Sequence, residues 1–115
     1  MDRQEIVRLF AQRHEALARH DAVEASMCYA ENCVLVSPLA GGTMHGRAAV
    51  QQVYEAWFKA FPDVVPTRED LVIDGDRDAD ITSVAGSDRG GFMGLPATGK
   101  PFKLTMFVVC TVKDS

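Results

Sequence analysis

At 115 residues, 47% hydrophobic and 24% charged, the chain has the size and composition of one globular domain with a modest core. Its net charge of −4 and the lack of a basic stripe argue against a nucleic-acid partner. No apolar run approaches the ~18 residues of a membrane span, and Met1 to Glu5 is polar and mixed in charge, unlike a secretory leader. Cys28, Cys33 and Cys110 have no Cys-Xaa-Xaa-Cys spacing and read as buried, reduced thiols of a cytoplasmic protein.

Asp2 to His20 is predicted as an amphipathic helix, with Ile6, Leu9, Phe10 and Leu17 on one stripe. Arg13 falls near the middle of that stripe and His14 at its flank. Arg13 reads as snorkelling to water and His14 as partly exposed; the second reading has both look into a pocket. His20-Asp21 is a break, and Asp21 can cap a short helix over Ala22 to Tyr29. Cys33 to Val36 is a short strand rich in residues suited to a pleated surface. Pro38 to Thr43 contains Gly41-Gly42 and is a loop or short hairpin, and His45 is a loop residue. Gly46 precedes a third helix, Arg47 to Phe61, striped by Val50, Val53, Tyr54, Trp57 and Phe61 and ended by Pro62. Val64 to Asp74 turns from loop into strand, with Leu71 and Ile73 on one face. Asp74-Gly75 marks a turn, and Ala79 to Gly86 returns antiparallel. Phe102 to Val112 is the strongest strand: Phe102, Leu104, Met106, Val108, Cys110 and Val112 alternate without a fault. One face fills a core or pocket, and the other, with Phe107 and Val109, could meet a partner subunit. Helices, a short strand, a helix and then long antiparallel strands make one α+β domain over residues 1–115.

Several motifs fall short of the chemistry they suggest. Gly94 to Lys100 fits the spacing of a phosphate-binding loop, but Pro101 and a strand follow where a hydroxyl residue and a helix are needed. Asp74 to Asp80 alternates carboxylates as calcium loops do. It lacks the glycine and glutamate such loops require, and reads as a solvated hairpin tip. His14, His20 and His45 have no ligand spacing, so no metal site is assembled. Asp88 is left. Strand alternation places it on the face of Gly86, Val84 and Thr82. It is either a solvated carboxylate beside Arg89 or a general acid/base at a pocket mouth near Trp57, Phe92 and Met106.

Gly86 to Pro101 packs five glycines and two prolines into sixteen residues between two apolar runs. Here the chain resembles the SnoaL-like polyketide cyclases of the nuclear-transport-factor-2-like superfamily. That family has Gly-Thr-His-Xaa-Gly and then Phe-Xaa-Gly-Xaa-Pro-Xaa-Thr-Gly-Lys between two long strands. Gly86-Ser87-Asp88-Arg89-Gly90 stands in the first place, with aspartate where histidine is usual, and Phe92 to Lys100 matches the second closely. The resemblance implies a curved antiparallel sheet wrapped against three helices to form a cone with an apolar pocket. It implies cofactor-free acid/base chemistry, an aldol-type cyclisation or related isomerisation or hydrolysis, on an apolar small molecule. Asp88 and His14 are the candidate catalytic residues. Phe10, Tyr54, Trp57, Phe58, Val84, Phe92, Leu104 and Met106 are the candidate lining, each of which could equally be plain core. Epoxide hydrolases of this architecture use an arginine and two aspartates, and no certain second carboxylate is visible here. The resemblance also implies one more strand after Phe102 to Val112. Without it that strand would present an open edge, so a homodimer or higher oligomer is expected. The alternative is a non-catalytic ligand-binding or dimerisation module of the same fold.

Overall fold

The computed structural model describes residues 1–37, 42–92 and 94–113. Part of the expected Pro38 to Thr43 connection, Met93 of the glycine-rich match, and residues 114–115 lie outside these. The elements are α1 (Arg3–Ala18), α2 (Ala22–Met27), β1 (Val34–Ser37), β2 (Gly42–His45), α3 (Arg47–Ala60), β3 (Val65–Asp74), β4 (Arg77–Ser87) and β5 (Pro101–Thr111). Three helices accompany a two-stranded hairpin, β1-β2, and a three-stranded antiparallel sheet ordered β3-β4-β5. The α+β class is as the sequence indicates.

Each helix end has a local cause. The Asp2 carboxylate accepts the Glu5 amide at 2.8 Å, satisfying one of the free amides of the first turn of α1. Two residues beyond α1, His20 takes a left-handed conformation (φ 58°), and the amides of His20 and Asp21 close onto Leu17 and Ala16. His20 is held there because its ring stacks on Phe58 at 4.5 Å and its Nε2 lies 2.6 Å from the Val64 carbonyl oxygen. Asp21 caps α2 through the Glu24 amide, as expected. Helices α1 and α2 stop two residues earlier than their predicted ends. His45, expected in a loop, is the last residue of β2 and pairs with Val34.

The long sheet departs from simple alternation in one place. A bulge between Arg68 and Asp70 adds Glu69 to β3. The extra residue shifts the alternation by one, so Arg68 before it and Leu71 and Ile73 after it all turn inward. Strand β5 behaves as predicted: its even-numbered positions are half-buried and its odd-numbered ones exposed.

A second correction decides what the interior contains. Strand β4 begins at Arg77, not Ala79, so the exposed tip is limited to Asp74, Gly75, Asp76 and Arg77. Asp78 and Asp80, expected there in water, share the inward face with Thr82 and Val84 and are 2% and 0% exposed.

The loop after β4 is fastened to the end of α3. The Arg89 and Gly90 amides both donate to the Ala60 carbonyl, at 3.1 and 2.9 Å. Gly90 is needed for that approach, since a Cβ there would collide with the Lys59 carbonyl. Phe92 is thereby delivered to an aromatic cluster in which Trp57, Phe61 and Phe92 stand 5.2 Å apart, centroid to centroid, and Phe61 meets Phe102 at 4.7 Å. Ala60, Val64 and Val84 complete this end of the core.

Candidate functional site

The interior groups with unusual chemistry meet around Arg13. Five segments supply them: α1 gives Arg13, the turn after α2 gives Tyr29, α3 gives Tyr54, β3 gives Arg68, and β4 gives Asp80 and Thr82. Arg13 is buried, contrary to the snorkelling expectation, because every arm of its guanidinium finds a partner. Nη1 donates to the Asp80 Oδ2 at 3.1 Å, Nη2 to the Tyr54 hydroxyl at 2.9 Å, and Nε to the Tyr29 hydroxyl at 3.2 Å. The other Asp80 oxygen accepts from Thr82 at 3.4 Å and faces the Arg68 Nε at the same distance. Arg68 is itself anchored on the Phe10 carbonyl, and Arg47 grips the Tyr29 carbonyl through two nitrogens. The cluster is therefore braced from behind.

Protonation follows from this packing. Burial works against the Arg13 charge, but Tyr54, Tyr29 and Asp80 outweigh it, so its pKa lies above the ordinary arginine value. Burial pushes the Tyr54 hydroxyl up as well, and the Arg13 charge opposes this without reversing it. At neutral pH the cluster holds the Arg13 guanidinium and the Tyr54 phenol in its protonated form. The two hydroxyls are 2.7 Å apart, and both oxygens already accept from Arg13. One phenol proton bridges them. The other proton has no acceptor within the cluster, and its oxygen receives two hydrogen bonds, one from a cation. Such a hydroxyl is a fixed, polarised donor.

The predicted catalytic pair is not brought together. His14 lies at the flank of the cluster, half-buried. Burial, then the Arg68 and Arg13 charges, lower its pKa against the pull of Asp80, so it is neutral at neutral pH. Asp88 lies in the glycine-rich loop instead. Its Oδ2 accepts the amide and the hydroxyl of Thr98, both at 3.1 Å, and its backbone bonds to Gly99 and Lys100. These contacts tie the two halves of the family-like motif together; the second oxygen, Oδ1, is buried without a partner.

The candidate lining divides in the same way. Tyr54 belongs to the polar cluster, and Phe10 is buried in α1 with its carbonyl on Arg68. Trp57, Phe58, Val84, Phe92, Leu104 and Met106 gather at the aromatic end. A shallow groove of about 190 Å³ on the other side of the sheet, lined by Thr67, Ser83 and Lys103, touches only Val84 of this set. Sequence reading missed Tyr29, Arg68, Asp78 and Asp80. Counting alternate residues back from Val84 and Thr82 would have placed both aspartates inside. Among the described residues, no group of three or more His, Cys, Asp or Glu is placed to hold a metal ion. The three cysteines are free thiols and half-buried, less enclosed than expected.

Helices packed over one face of an antiparallel sheet, with a braced polar cluster between them, define a protein of the nuclear-transport-factor-2-like class. The family model for SnoaL-like polyketide cyclases matches residues 8–115. The chain belongs to that family. Among solved structures it is similar to TsrD from Streptomyces laurentii (21% identity, TM-score 0.86, covering 99% of this chain and 83% of that one). It is also similar to AclR from Streptomyces galilaeus, a proposed hydroxylase (21%, TM-score 0.81, 98% and 83%). These two likenesses speak to fold alone. IdmH from Streptomyces antibioticus, a proposed polyketide cyclase, is 29% identical with a TM-score of 0.76 over 94% of this chain and 83% of that one. Comparison with curated proteins returned no match. No helix among the described residues is long and apolar enough to cross a membrane.

Proposed function

We propose that the protein is a small-molecule enzyme of the SnoaL-like type, carrying out acid/base chemistry on an apolar ligand held between the helices and the sheet. The observation that carries this reading is the hydrogen-bond arithmetic at Arg13. A fixed phenol donor without an acceptor suits an oxygen that gains negative charge, as a carbonyl oxygen does when a proton leaves the neighbouring carbon. The aromatic end supplies an apolar surface against which such a ligand can lie. His14, neutral and at the cluster's flank, can relay a proton. Asp88 serves this reading through the loop that positions Phe92, and Asp88→Asn tests how far its part extends beyond that.

The test is deuterium exchange. In D2O the purified protein is expected to accelerate loss of the α-hydrogens of 2-tetralone, an apolar enolisable ketone, followed by proton NMR. Tyr29→Phe and Tyr54→Phe singly should cost little, since either remaining phenol is released to donate. Together they should slow exchange about 100-fold. No acceleration by the wild-type protein contradicts the reading.

The same fold presents a surface suited to a second copy. On the outer side of the sheet Phe107 and Val109 are 69% and 65% exposed. They pair across the strands with Ile81 and Ala79, and Val72 extends the patch. We infer a homodimer through this face. Sedimentation should show a dimer that Phe107→Asp converts to monomer; a wild-type monomer contradicts it.

A further inference from the structure

Among the described residues, Asp78, 2% exposed, is the one buried carboxylate with neither oxygen in a hydrogen bond. Its cross-strand neighbours are Ile73 and Cys110, and it shares the inward face of β4 with Asp80 two residues on. The contrast with Asp80 is informative. Asp80 is held by Arg13, faced by Arg68 and bonded to Thr82, so each of its oxygens has a hydrogen-bond partner. Burying a carboxylate without donors costs stability, and such groups are rare unless a ligand completes them. An aliphatic side chain at this position would pack without that cost.

Resting on the enzyme reading above, we propose that Asp78 is the proton acceptor for a small apolar substrate with an enolisable carbonyl. The substrate's α C–H bond breaks and the proton passes to an Asp78 oxygen. The electron pair moves into the carbonyl, whose oxygen becomes an enolate held by the spare phenol proton at Tyr29–Tyr54. The enolate carbon then attacks a second carbonyl carbon, whose π electrons become an alkoxide that takes the proton back from Asp78; where no electrophile is present, return of the proton to the α-carbon ends the cycle. Asp80 is then a positioning residue that fixes Arg13.

Asp78→Asn and Asp78→Leu test this in the 2-tetralone assay, with melting temperature measured alongside. Both variants should lose exchange about 100-fold or more, and Asp78→Leu should melt about 4 °C or more above wild type. Exchange within twofold of an active wild type overturns the role of Asp78 and leaves the enzyme reading standing. An inactive wild type overturns both. A fall in melting temperature in both variants marks Asp78 as structural and also overturns the proposal.

Discussion

The two ends of the interior are built on opposite principles. At one, Trp57, Phe61, Phe92 and Phe102 meet ring to ring around Ala60, Val64 and Val84. At the other, Arg13, Tyr29, Tyr54 and Asp80 are joined by directed hydrogen bonds and leave one proton and one carboxylate over. The first end gains stability from area removed from water, tolerates change of shape, and has no chemistry to offer. The second gains little net stability from its charges, because the cost of desolvating them offsets their attraction. What it holds is geometry: fixed donors and acceptors that need no rearrangement when charge develops.

The contrast can be broken at its most expensive point. Asp80→Ala leaves the Arg13 guanidinium buried without its counter-charge and should cost about 4 kcal/mol in urea unfolding. A loss below about 1 kcal/mol would mean that Arg13 escapes to water. At the aromatic end, Phe61→Leu should cost about 1 kcal/mol by the same measurement and leave 2-tetralone exchange unchanged in kcat; a large activity loss there would erase the distinction between the two ends. The smallest effect belongs to His14. Its folded pKa lies below the unfolded value of about 6.5, so the unfolded chain binds the proton more readily. Stability should therefore fall as pH drops below about 6.5, and His14→Gln should remove that part of the slope. An unchanged slope would place the acid sensitivity elsewhere.

The difference between the ends also decided what could be read in advance. Trp57 and Phe61 repeat at helical spacing, and β5 alternates without a fault, so the aromatic end was legible as apolar periodicity. The glycine-rich loop was legible as a resemblance, although Gly90 is explained by its approach to the Lys59 carbonyl and Asp88 by its bonds to Thr98. The polar end was hidden. Asp78 and Asp80 follow a turn and look solvated, and nothing local shows that Arg13 and Arg68, 67 and 12 positions from Asp80, will fold over it. The Glu69 bulge, which turns Arg68 and Leu71 to the same side, leaves no clear sequence mark. Hydrophobic pattern predicts which residues leave water; it does not predict which charges will be forced to go with them.

The most direct test is to replace the ion pair as a unit. Arg13→Met with Asp80→Leu removes both buried charges, and Arg68, nearer the surface, can still reach water. If the polar cluster is kept for chemistry, this double variant should unfold at the wild-type urea concentration or above it while 2-tetralone exchange falls to the buffer rate. A double variant that exchanges the ketone as wild type does would contradict the assignment of the Arg13 cluster as the site.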